Sequence, residues 1–224
     1  MSVYAGPEIP SSGLVLASDA ANAKSYPGSG TTAFNLLSSS FSGDMQNSIA
    51  YSASKFSLDG VDDRIYYNLG TNTSVRCYDS TVIFCVNLPV VSGGQRCILS
   101  YRGGTGGSLY IGKSSSAIFS YYNQLNSAAY TIGTISPNIP FVCAITMDAT
   151  NSTLTHYING VSAGSVTRTG WVSTYNNLLY LGYDSGGTNE FMLGDFYYYM
   201  HYNRVLSAAE VSQNFYAMRG RFGL

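Results

Sequence analysis

Carboxylates and imidazoles are the side chains of this sequence that could carry acid–base chemistry, and both are scarce. Its three glutamates are Glu8, Glu190 and Glu210, and its only adjacent acids are Asp62 and Asp63. Hydrolysis of a glycosidic bond needs two carboxylates, about 5 Å apart in retaining enzymes. No glutamate stands beside a second acid, and neighbours on an extended chain point to opposite sides. The sequence predicts no catalytic residues, and we interpret Asp62-Asp63 as a solvated turn.

The two histidines are also poor candidates for catalysis. A Ser-His-Asp mechanism would need His156 or His201 to be oriented by an aspartate and close to a nucleophile. His201 falls on the polar side of a predicted strand, next to Tyr199 and Asn203. This position indicates a surface histidine whose ring nitrogens are hydrogen-bonded and take no part in catalysis. We therefore predict that the protein is not an enzyme.

One loop-like stretch, TGWVSTYNN, combines aromatic rings with amides. Exposed aromatic rings can stack on sugar faces, and amides can bond sugar hydroxyls. The stretch therefore supplies four candidate carbohydrate-binding residues, Trp171, Tyr175, Asn176 and Asn177. The alternative is that the single tryptophan is buried in the core of a β-sandwich.

Residues 1–12 are predicted to form an extended arm that precedes a single domain at residues 13–224. Pro7 and Pro10 favour extended backbone and cannot donate hydrogen bonds to a central strand. The arm also carries three apolar side chains that a purely solvating tail would not need, Val3, Tyr4 and Ile9. These three are the candidate partner-binding residues.

Composition points to one large all-β domain. The 224 residues include 24 glycines and 20 tyrosines, and only 10% are charged, against about 25% in ordinary soluble domains. The net charge of −1 argues against a nucleic-acid surface. No stretch approaches the roughly 20 apolar residues of a membrane span. We also expect no signal peptide, because the first sixteen residues lack a basic start and a sufficient apolar run.

The cysteines do not have the spacing of a zinc site. Cys77, Cys85, Cys97 and Cys143 form no CxxC pair and lie in or near β-like apolar runs. Cys85 and Cys143 are expected to act as small buried hydrophobes. We predict free thiols, which fits assembly in a reducing cytoplasm.

The strand that organises the chain is predicted at Met192–Asn203, where aromatic residues dominate. At a period of two, Phe196, Tyr198 and Met200 share one side with Met192 and Tyr202, which predicts an unbroken strand with that face buried and the other polar. A short helix follows. Ser207 is placed to cap it, and Glu210 completes a capping box.

Turn signals separate many further short strands. Asp59-Gly60 predicts a hairpin-type connection between residues 55–58 and 65–69, and Asn159-Gly160 predicts a type I′ hairpin turn. Strands at this spacing, with almost no helix, predict a two-sheet antiparallel β-sandwich or jelly roll.

Several of these segments occur in an order that resembles a known family. They are GLVLASDAANAKSYPGSGTT, FSLDGVDDRIYY, HYINGVSAG, LLYLG and GDFYYYMHYNRVLSAAEV with the closing NFYAMRGRFG. Together they resemble the laminin-G-like branch of the concanavalin A-like lectin/glucanase superfamily, in the form found on tailed-phage structural proteins. The resemblance covers residues 13–224 and implies a jelly-roll sandwich with a C-terminal helix. It implies no single activity, because this fold serves enzymes, lectins and scaffolds.

The resemblance also bears on catalysis and on metal binding. Glycosidases of the superfamily carry a Glu-x-Asp-x-x-Glu pattern that this sequence lacks. Relatives can hold calcium with an acid at the start of the last long strand and oxygens from the N-terminal segment. Asp195 and Asp19 match those places, but calcium takes six to eight oxygen ligands. We therefore expect no cofactor and keep calcium at Asp195 and Asp19 as the alternative.

These observations lead to a prediction of function. We expect a non-enzymatic structural protein of a phage virion, present in multiple copies as a decoration, fibre or tail-surface domain and contacting other virion proteins of the capsid or tail. A carbohydrate-binding adhesin that recognises host surface glycan is the alternative, and a glycoside hydrolase is a more distant one. Neither nucleic acid nor membrane insertion is expected.

Overall fold

A computed structural model describes residues 7–90, 95–102, 109–114, 117–122, 130–171, 176–184 and 190–224. The described residues form the following elements: β1 (Leu14–Asp19), β2 (Thr32–Ala33), β3 (Gly43–Gln46), β4 (Ala50–Ser52), β5 (Lys55–Asp59), β6 (Arg64–Asn68), β7 (Ser80–Asn87), β8 (Gln95–Arg102), β9 (Leu109–Ser114), β10 (Ala117–Tyr122), β11 (Tyr130–Thr134), β12 (Phe141–Asp148), β13 (Thr153–Ile158), β14 (Val161–Thr167), β15 (Leu178–Leu181), β16 (Leu193–Tyr202), α1 (Ala208–Met218) and a 3₁₀ turn (Arg219–Arg221).

The strands form two eight-stranded antiparallel sheets. Sheet A has the order β14-β13-β12-β7-β16-β5-β4, and β1 also pairs with β16. Sheet B has the order β11-β10-β9-β8-β15-β6-β3-β2. The predicted two-sheet sandwich with a short C-terminal helix is therefore confirmed. No helix in the described part of the chain has the length and apolar composition needed to cross a membrane.

The sandwich has three layers, because sheet A is covered on both faces. One face packs against sheet B around residues such as Val82, Phe84 and Ile145. The other face packs under α1, where Ile83 and Phe215 are buried together. All four cysteines are buried and form no disulfide bond, and burial raises the pKa values of their thiols well above the ordinary range.

The organising strand, β16, differs from its prediction in one respect. From Tyr198 to Tyr202 both of its faces are buried, so that Tyr199 and His201 on the predicted polar side are fully enclosed. A bulge between Phe196 and Tyr198 shifts the register against β7. Phe196 consequently lies in the core between the sheets, whereas Tyr198 and Met200 lie on the helix side. The predicted single face of Phe196, Tyr198 and Met200 is wrong, because an extra residue in a strand reverses the facing of those that follow.

The Asp59–Asp63 connection is also not a hairpin. β5 pairs in sheet A and β6 pairs in sheet B, so this turn carries the chain from one sheet to the other. The Asp-Gly sequence predicts the reversal itself, and Gly60 does have a positive φ of 77°. The identity of the paired strands depends on distant segments that a local turn signal does not include.

Two other local predictions are confirmed. Asn159 and Gly160 have φ values of 50° and 77°, and they join β13 to β14 through the pair Ile158–Val161. Both positive values are those that a type I′ turn requires. The capping box of the helix is also present. The Ser207 side chain accepts a hydrogen bond from the Glu210 backbone amide, and the Glu210 carboxylate accepts one from the Ser207 backbone amide.

Candidate functional site

An open aromatic surface lies on the face of sheet B that points away from the core. In β6, Ile65 and Tyr67 are buried against the core, so the residue between them, Tyr66, faces outward. In β15, Leu179 and Leu181 are buried in the same way, and the intervening Tyr180 faces outward. Tyr66 and Tyr180 are also direct cross-strand partners. The strand period thus places two tyrosines side by side on the outer face.

Tyr183 completes this surface. The Tyr66 and Tyr180 ring centroids are 5.1 Å apart with planes tilted by 33°. Tyr183 meets Tyr180 edge-on at 5.3 Å and stacks on Phe191 at 4.7 Å. Such edge-on and stacked contacts are favourable and restrict the rings. The three half-buried tyrosines therefore form a preorganised surface.

Two polar side chains line the same pocket, which has a volume of about 330 Å³. Arg64 lies over the Tyr183 ring, with its guanidinium carbon 5.1 Å from the ring centroid. Gln46 is opposite Arg64 across the β3–β6 pair, and its amide donates to an exposed carboxylate, that of Asp44, at 3.0 Å. We call this set the tyrosine patch: Gln46, Arg64, Tyr66, Tyr180 and Tyr183.

The tyrosine patch combines ring faces with hydrogen-bonding groups in an open pocket. Aromatic faces pack against the apolar face of a sugar ring, while a guanidinium and an amide supply donors for hydroxyl or carboxylate oxygens. The alternation in RIYYN and in LLYLGY is the sequence signal for the outward facing of Tyr66 and Tyr180. Sequence reasoning missed it, because the patch exists only once β6 and β15 are known to pair.

The predicted carbohydrate-binding stretch is placed elsewhere. Trp171 is half-buried, packs against the core and donates its Nε1–H to the Arg168 carbonyl at 2.8 Å. The Asn176 side chain is fully buried and accepts from the Cys77 amide at 3.3 Å. The Oδ1 atom of Asn177 is buried as well. Tyr175 lies outside the described residues, and sugar binding by this stretch stays a prediction.

The predicted arm is only partly described. Ile9 packs against the cluster under α1, and the Glu8 carbonyl accepts a hydrogen bond from Gln213 at 2.6 Å. Residues 7–12 therefore rest on the helix side of the molecule. Val3 and Tyr4 lie outside the described residues, and partner binding by Val3, Tyr4 and Ile9 stays a prediction.

The two acids of the calcium alternative each have a basic partner. Asp195 is 2.7 Å from the Lys55 ammonium and also accepts from Ser57 at 2.7 Å. Asp19 forms two contacts with Arg221, at 2.6 and 2.7 Å. The side-chain hydrogen bond to Asp195 raises the pKa of Lys55. Both carboxylates thus already have their charge balanced by a cation from the protein.

A separate acidic group forms at the turn between β5 and β6. One carboxylate oxygen each from Asp59, Asp62 and Asp63 lies within 4.8 Å of the others. Asp59 and Asp62 are exposed, as a solvated turn requires, but Asp63 is only 4% exposed, and burial raises its pKa. The interpretation of Asp62-Asp63 as a solvated turn therefore holds for Asp62 and is wrong for Asp63, whose side chain is buried and accepts from the Asp59 amide.

Both histidines are buried in polar contacts that differ from a catalytic triad. His201 Nδ1 is 2.6 Å from the Tyr101 hydroxyl, which also contacts the Tyr199 hydroxyl. His156 Nε2 is 2.9 Å from Ser120 Oγ, but within the described residues its Nδ1 has no partner to orient the ring. Burial lowers the pKa of His201 to about 3 and that of His156 to about 4. The predicted surface location of His201 is therefore wrong, since β16 is covered on both faces.

The remaining acids near sheet B are engaged with neighbours. Arg102 contacts Asp184 through two nitrogens, each at 2.6 Å, and Tyr110 donates to Glu190 at 2.5 Å. Tyr110 is 2% exposed, and burial raises its pKa far above the ordinary value. The phenol is therefore held protonated and is not activated as a nucleophile.

Comparison of the sequence with protein families gives one match. The model described as the concanavalin A-like lectin/glucanases superfamily, of laminin-G type, matches residues 59–212, which is more than half of the chain. The matched segment includes four of the five tyrosine-patch residues and both ends of β16. Among curated proteins, none matches the chain.

Solved structures share the fold at low sequence identity. A Trypanosoma rangeli sialidase in complex with 2,3-difluorosialic acid aligns with 96% of this chain and 35% of its own, at 16% identity and a TM-score of 0.77. A botulinum neurotoxin serotype D binding domain aligns with 92% of this chain and 52% of its own, at 15% identity and a TM-score of 0.67. The chain thus spans about a third of the sialidase and half of the toxin domain, and the likeness is one of fold.

Proposed function

The chain belongs to the concanavalin A-like lectin/glucanase superfamily, and from this premise we propose that it is a non-enzymatic carbohydrate-binding protein. The observation that carries the proposal is the tyrosine patch. Tyr66 and Tyr180 stand on paired strands and Tyr183 packs between the Tyr180 and Phe191 rings, so these neighbours hold the three rings in place before any ligand arrives. A preorganised site loses less conformational entropy on binding than a flexible one.

The chemistry of the patch favours a sugar over a purely apolar ligand. Tyr66 and Tyr180 offer ring faces, while Arg64 and Gln46 bring donors to the same pocket. Sugars present an apolar ring face together with several hydroxyls, so they use both kinds of group. The positive charge of Arg64 additionally favours a sugar that carries a carboxylate.

The absence of catalysis is part of the proposal. The Asp184 carboxylate is bound by Arg102, and the Glu190 carboxylate accepts from Tyr110. The acids of the Asp59–Asp63 turn have oxygens within 4.8 Å of one another, but they share one short turn and do not flank a cleft from two elements. We expect no release of reducing sugar from bacterial polysaccharides or β-glucans, and turnover that vanishes in Asp62→Asn would contradict this.

Binding can be tested on an array of sialylated, galactosylated and glucosylated oligosaccharides, followed by calorimetry with the strongest ligand. We expect Tyr66→Ala to weaken binding about tenfold, equivalent to about 1.4 kcal/mol, because the variant loses an aromatic face. Tyr216→Ala is the matched control. Tyr216 is 51% exposed on α1, which lies on the other side of the sandwich.

Three outcomes would contradict the proposal. They are the absence of binding across the array, unchanged affinity in Tyr66→Ala, and an equal loss in Tyr216→Ala. A loss in Trp171→Ala with full affinity in Tyr66→Ala would move the site to the stretch predicted from the sequence.

A structural role on a phage particle is the second proposal. Its support is the placement of residues 7–12, which run along the helix side of sheet A through the Ile9 and Glu8 contacts. The tyrosine patch faces away on sheet B. A chain attached through its N-terminal segment to a capsid or tail protein would thus keep the patch open toward a host glycan.

A further inference from the structure

Tyr183 is the ring of the tyrosine patch that lies outside the strands. β15 ends at Leu181, and the next residue, Gly182, has a positive φ of 86° that turns the chain away from the strand direction. The Tyr183 ring nevertheless stacks on Phe191 and carries the Arg64 guanidinium over its face. Contacts other than strand pairing must therefore hold this residue in the pocket.

A buried ion pair fixes the residue that follows Tyr183. Asp184 is completely buried, and its two carboxylate oxygens accept hydrogen bonds of 2.6 Å from Nε and Nη2 of Arg102. The Arg102 side chain is itself only 14% exposed. Two parallel bonds between a planar guanidinium and a carboxylate fix the orientation of both groups as well as their distance.

The strand that carries Arg102 also binds the Tyr183 backbone. Ser100 Oγ donates to the Tyr183 carbonyl at 2.8 Å. Ser100 and Arg102 are two residues apart in β8, so their side chains lie on the same face of sheet B. That face is the outer one, because Ser100 is the cross-strand partner of Tyr180. β8 thus holds two consecutive residues, 183 and 184, against the outer face of the sheet.

The residues that return to the sheet are held beside the same strand. The Glu190 carbonyl accepts from the Cys97 amide at 3.3 Å, and the Glu190 carboxylate accepts from Tyr110 at 2.5 Å. Phe191 follows directly and stacks on Tyr183 at 4.7 Å. Polar contacts with β8 and β9 therefore determine where these two rings meet.

The ion pair is better suited to fixing geometry than to adding stability. Both charges lose their hydration on burial, so that apolar side chains of similar volume often stabilise a fold equally well. We propose that Arg102 and Asp184 are positioning residues for the tyrosine patch. The pair holds the backbone beside Tyr183, so that the Tyr183 ring faces the pocket before a ligand binds. This inference rests on the proposed function, because it gives the pair a role in sugar binding.

The test replaces both members of the pair by apolar residues, Arg102→Met together with Asp184→Leu, which we call the pair variant. It leaves no unpaired ion in the interior, so the melting temperature should stay within about 4 °C of the original value. Binding of sialyllactose, measured by calorimetry, should weaken about tenfold, because the Tyr183 ring is no longer held in the pocket. The NOESY cross-peak between the Tyr183 and Phe191 rings should be lost in the ligand-free protein.

A double-mutant cycle separates positioning from a general loss of structure. Tyr183→Ala should weaken sialyllactose binding by a similar factor, because it removes the ring itself. Adding the pair variant to Tyr183→Ala should weaken binding by less than about twofold more, because the pair acts through that ring.

The matched control replaces another ion pair that has two contacts, through Arg221→Met together with Asp19→Leu. Arg221 and Asp19 meet at 2.6 and 2.7 Å, and Arg221 lies in the 3₁₀ turn that follows α1. This control should leave sialyllactose binding unchanged. Arg102→Lys is a milder test, because it keeps the positive charge and loses the fork-shaped pairing. It should fold and bind with intermediate affinity.

Several outcomes would overturn the proposal. It fails if the pair variant keeps its affinity or its Tyr183–Phe191 cross-peak, or if the control weakens binding equally. It also fails if the melting temperature of the pair variant falls by much more than about 4 °C, since the pair would then act on stability. A full further loss of affinity in the Tyr183→Ala background would contradict it as well. If the unchanged protein binds no oligosaccharide, the proposed function fails, and the cross-peak still decides whether the pair positions Tyr183.

Discussion

At the scale of single residues, the two buried histidines make the stability of the folded protein depend on pH. His201 is fully enclosed between the sheets, where Tyr101 and Tyr199 surround its Nδ1 atom. His156 is equally enclosed and stacks on the Tyr130 ring at a centroid distance of 4.7 Å. Burial lowers both pKa values, to about 3 and about 4. Each imidazole is therefore neutral in the folded protein at pH values where it is charged in the unfolded chain.

The two buried histidines make the folded protein less stable as the pH falls. Below an unfolded pKa of about 6.5 the unfolded chain binds protons that the folded chain does not, so stability falls as the pH falls. We expect the free energy of unfolding to drop between about pH 6.5 and pH 5, by up to about 1.4 kcal/mol per pH unit for each histidine. Urea unfolding across this range measures the slope.

His156→Gln provides the comparison for this measurement. It should reduce the slope by about half, because one of two titrating groups is removed. Carboxylates with ordinary pKa values contribute little in this window. A flat free energy of unfolding between about pH 7 and pH 5 would show that neither histidine is held neutral in the folded state.

At the scale of elements, the β13–β14 hairpin supports the C-terminal helix. A Cβ atom added to Gly160 would lie 2.9 Å from the Phe215 Cβ, and the residue has a φ of +77°. Phe215 is buried on the inner side of α1. Glycine is therefore required at position 160 for two reasons: the turn needs a positive φ, and the helix packs too closely to leave room for a Cβ atom.

Gly160→Ala should separate these two effects when it is compared with Gly70→Ala. Gly70 also has a positive φ of +56°, but an added Cβ would meet nothing within 4 Å. We expect about 1–2 kcal/mol of destabilisation from the left-handed conformation in both variants, and about 1–3 kcal/mol more at Gly160 from overpacking. Chemical denaturation gives both values. An equal loss of unfolding free energy in the two variants would mean that α1 leaves room for a Cβ atom at Gly160.

At the scale of the whole molecule, the N-terminal segment and the C-terminal helix form one surface. Beyond the Glu8 and Ile9 contacts, Arg204 donates to the Ser12 carbonyl at 2.8 Å. Arg204 also binds Glu210, at 2.5 and 3.1 Å. Residues 8–12 are thus linked to the middle of α1 through Gln213 and to its N-terminal cap through Arg204.

Two truncations test what this segment does. Removal of residues 1–12 should lower the melting temperature by about 2–4 °C, as for a loss of about 1 kcal/mol in a chain of this length, and by more than removal of residues 1–6 does. Both truncated chains should keep the circular dichroism of the sandwich. If residues 1–12 also attach the protein to a particle, both truncations should reduce incorporation into particles. Normal incorporation would place the attachment surface elsewhere on the molecule.

Features that arise from local chemistry could be predicted from the amino-acid sequence. The capping box at Ser207 and Glu210, the type I′ turn at Asn159-Gly160 and the β-rich alternation were all readable, because each depends on residues a few positions apart. The fold class followed from the number and spacing of such signals, and the family resemblance ran through the same segments.

The segments that meet in space could not be predicted from local sequence and became known from the fold. The pairing of β6 with β15 brings Tyr66 to Tyr180 across more than a hundred residues, and no local pattern contains that information. A single bulge after Phe196 reversed the facing of the rest of β16, and the helix layer buried the face on which Tyr198 and Met200 lie. The bend at Asp59–Asp63 likewise brought together acids that an extended chain would have separated. Burial, charge pairing and site formation are properties of packed neighbours, and packing joins residues that the chain itself keeps far apart.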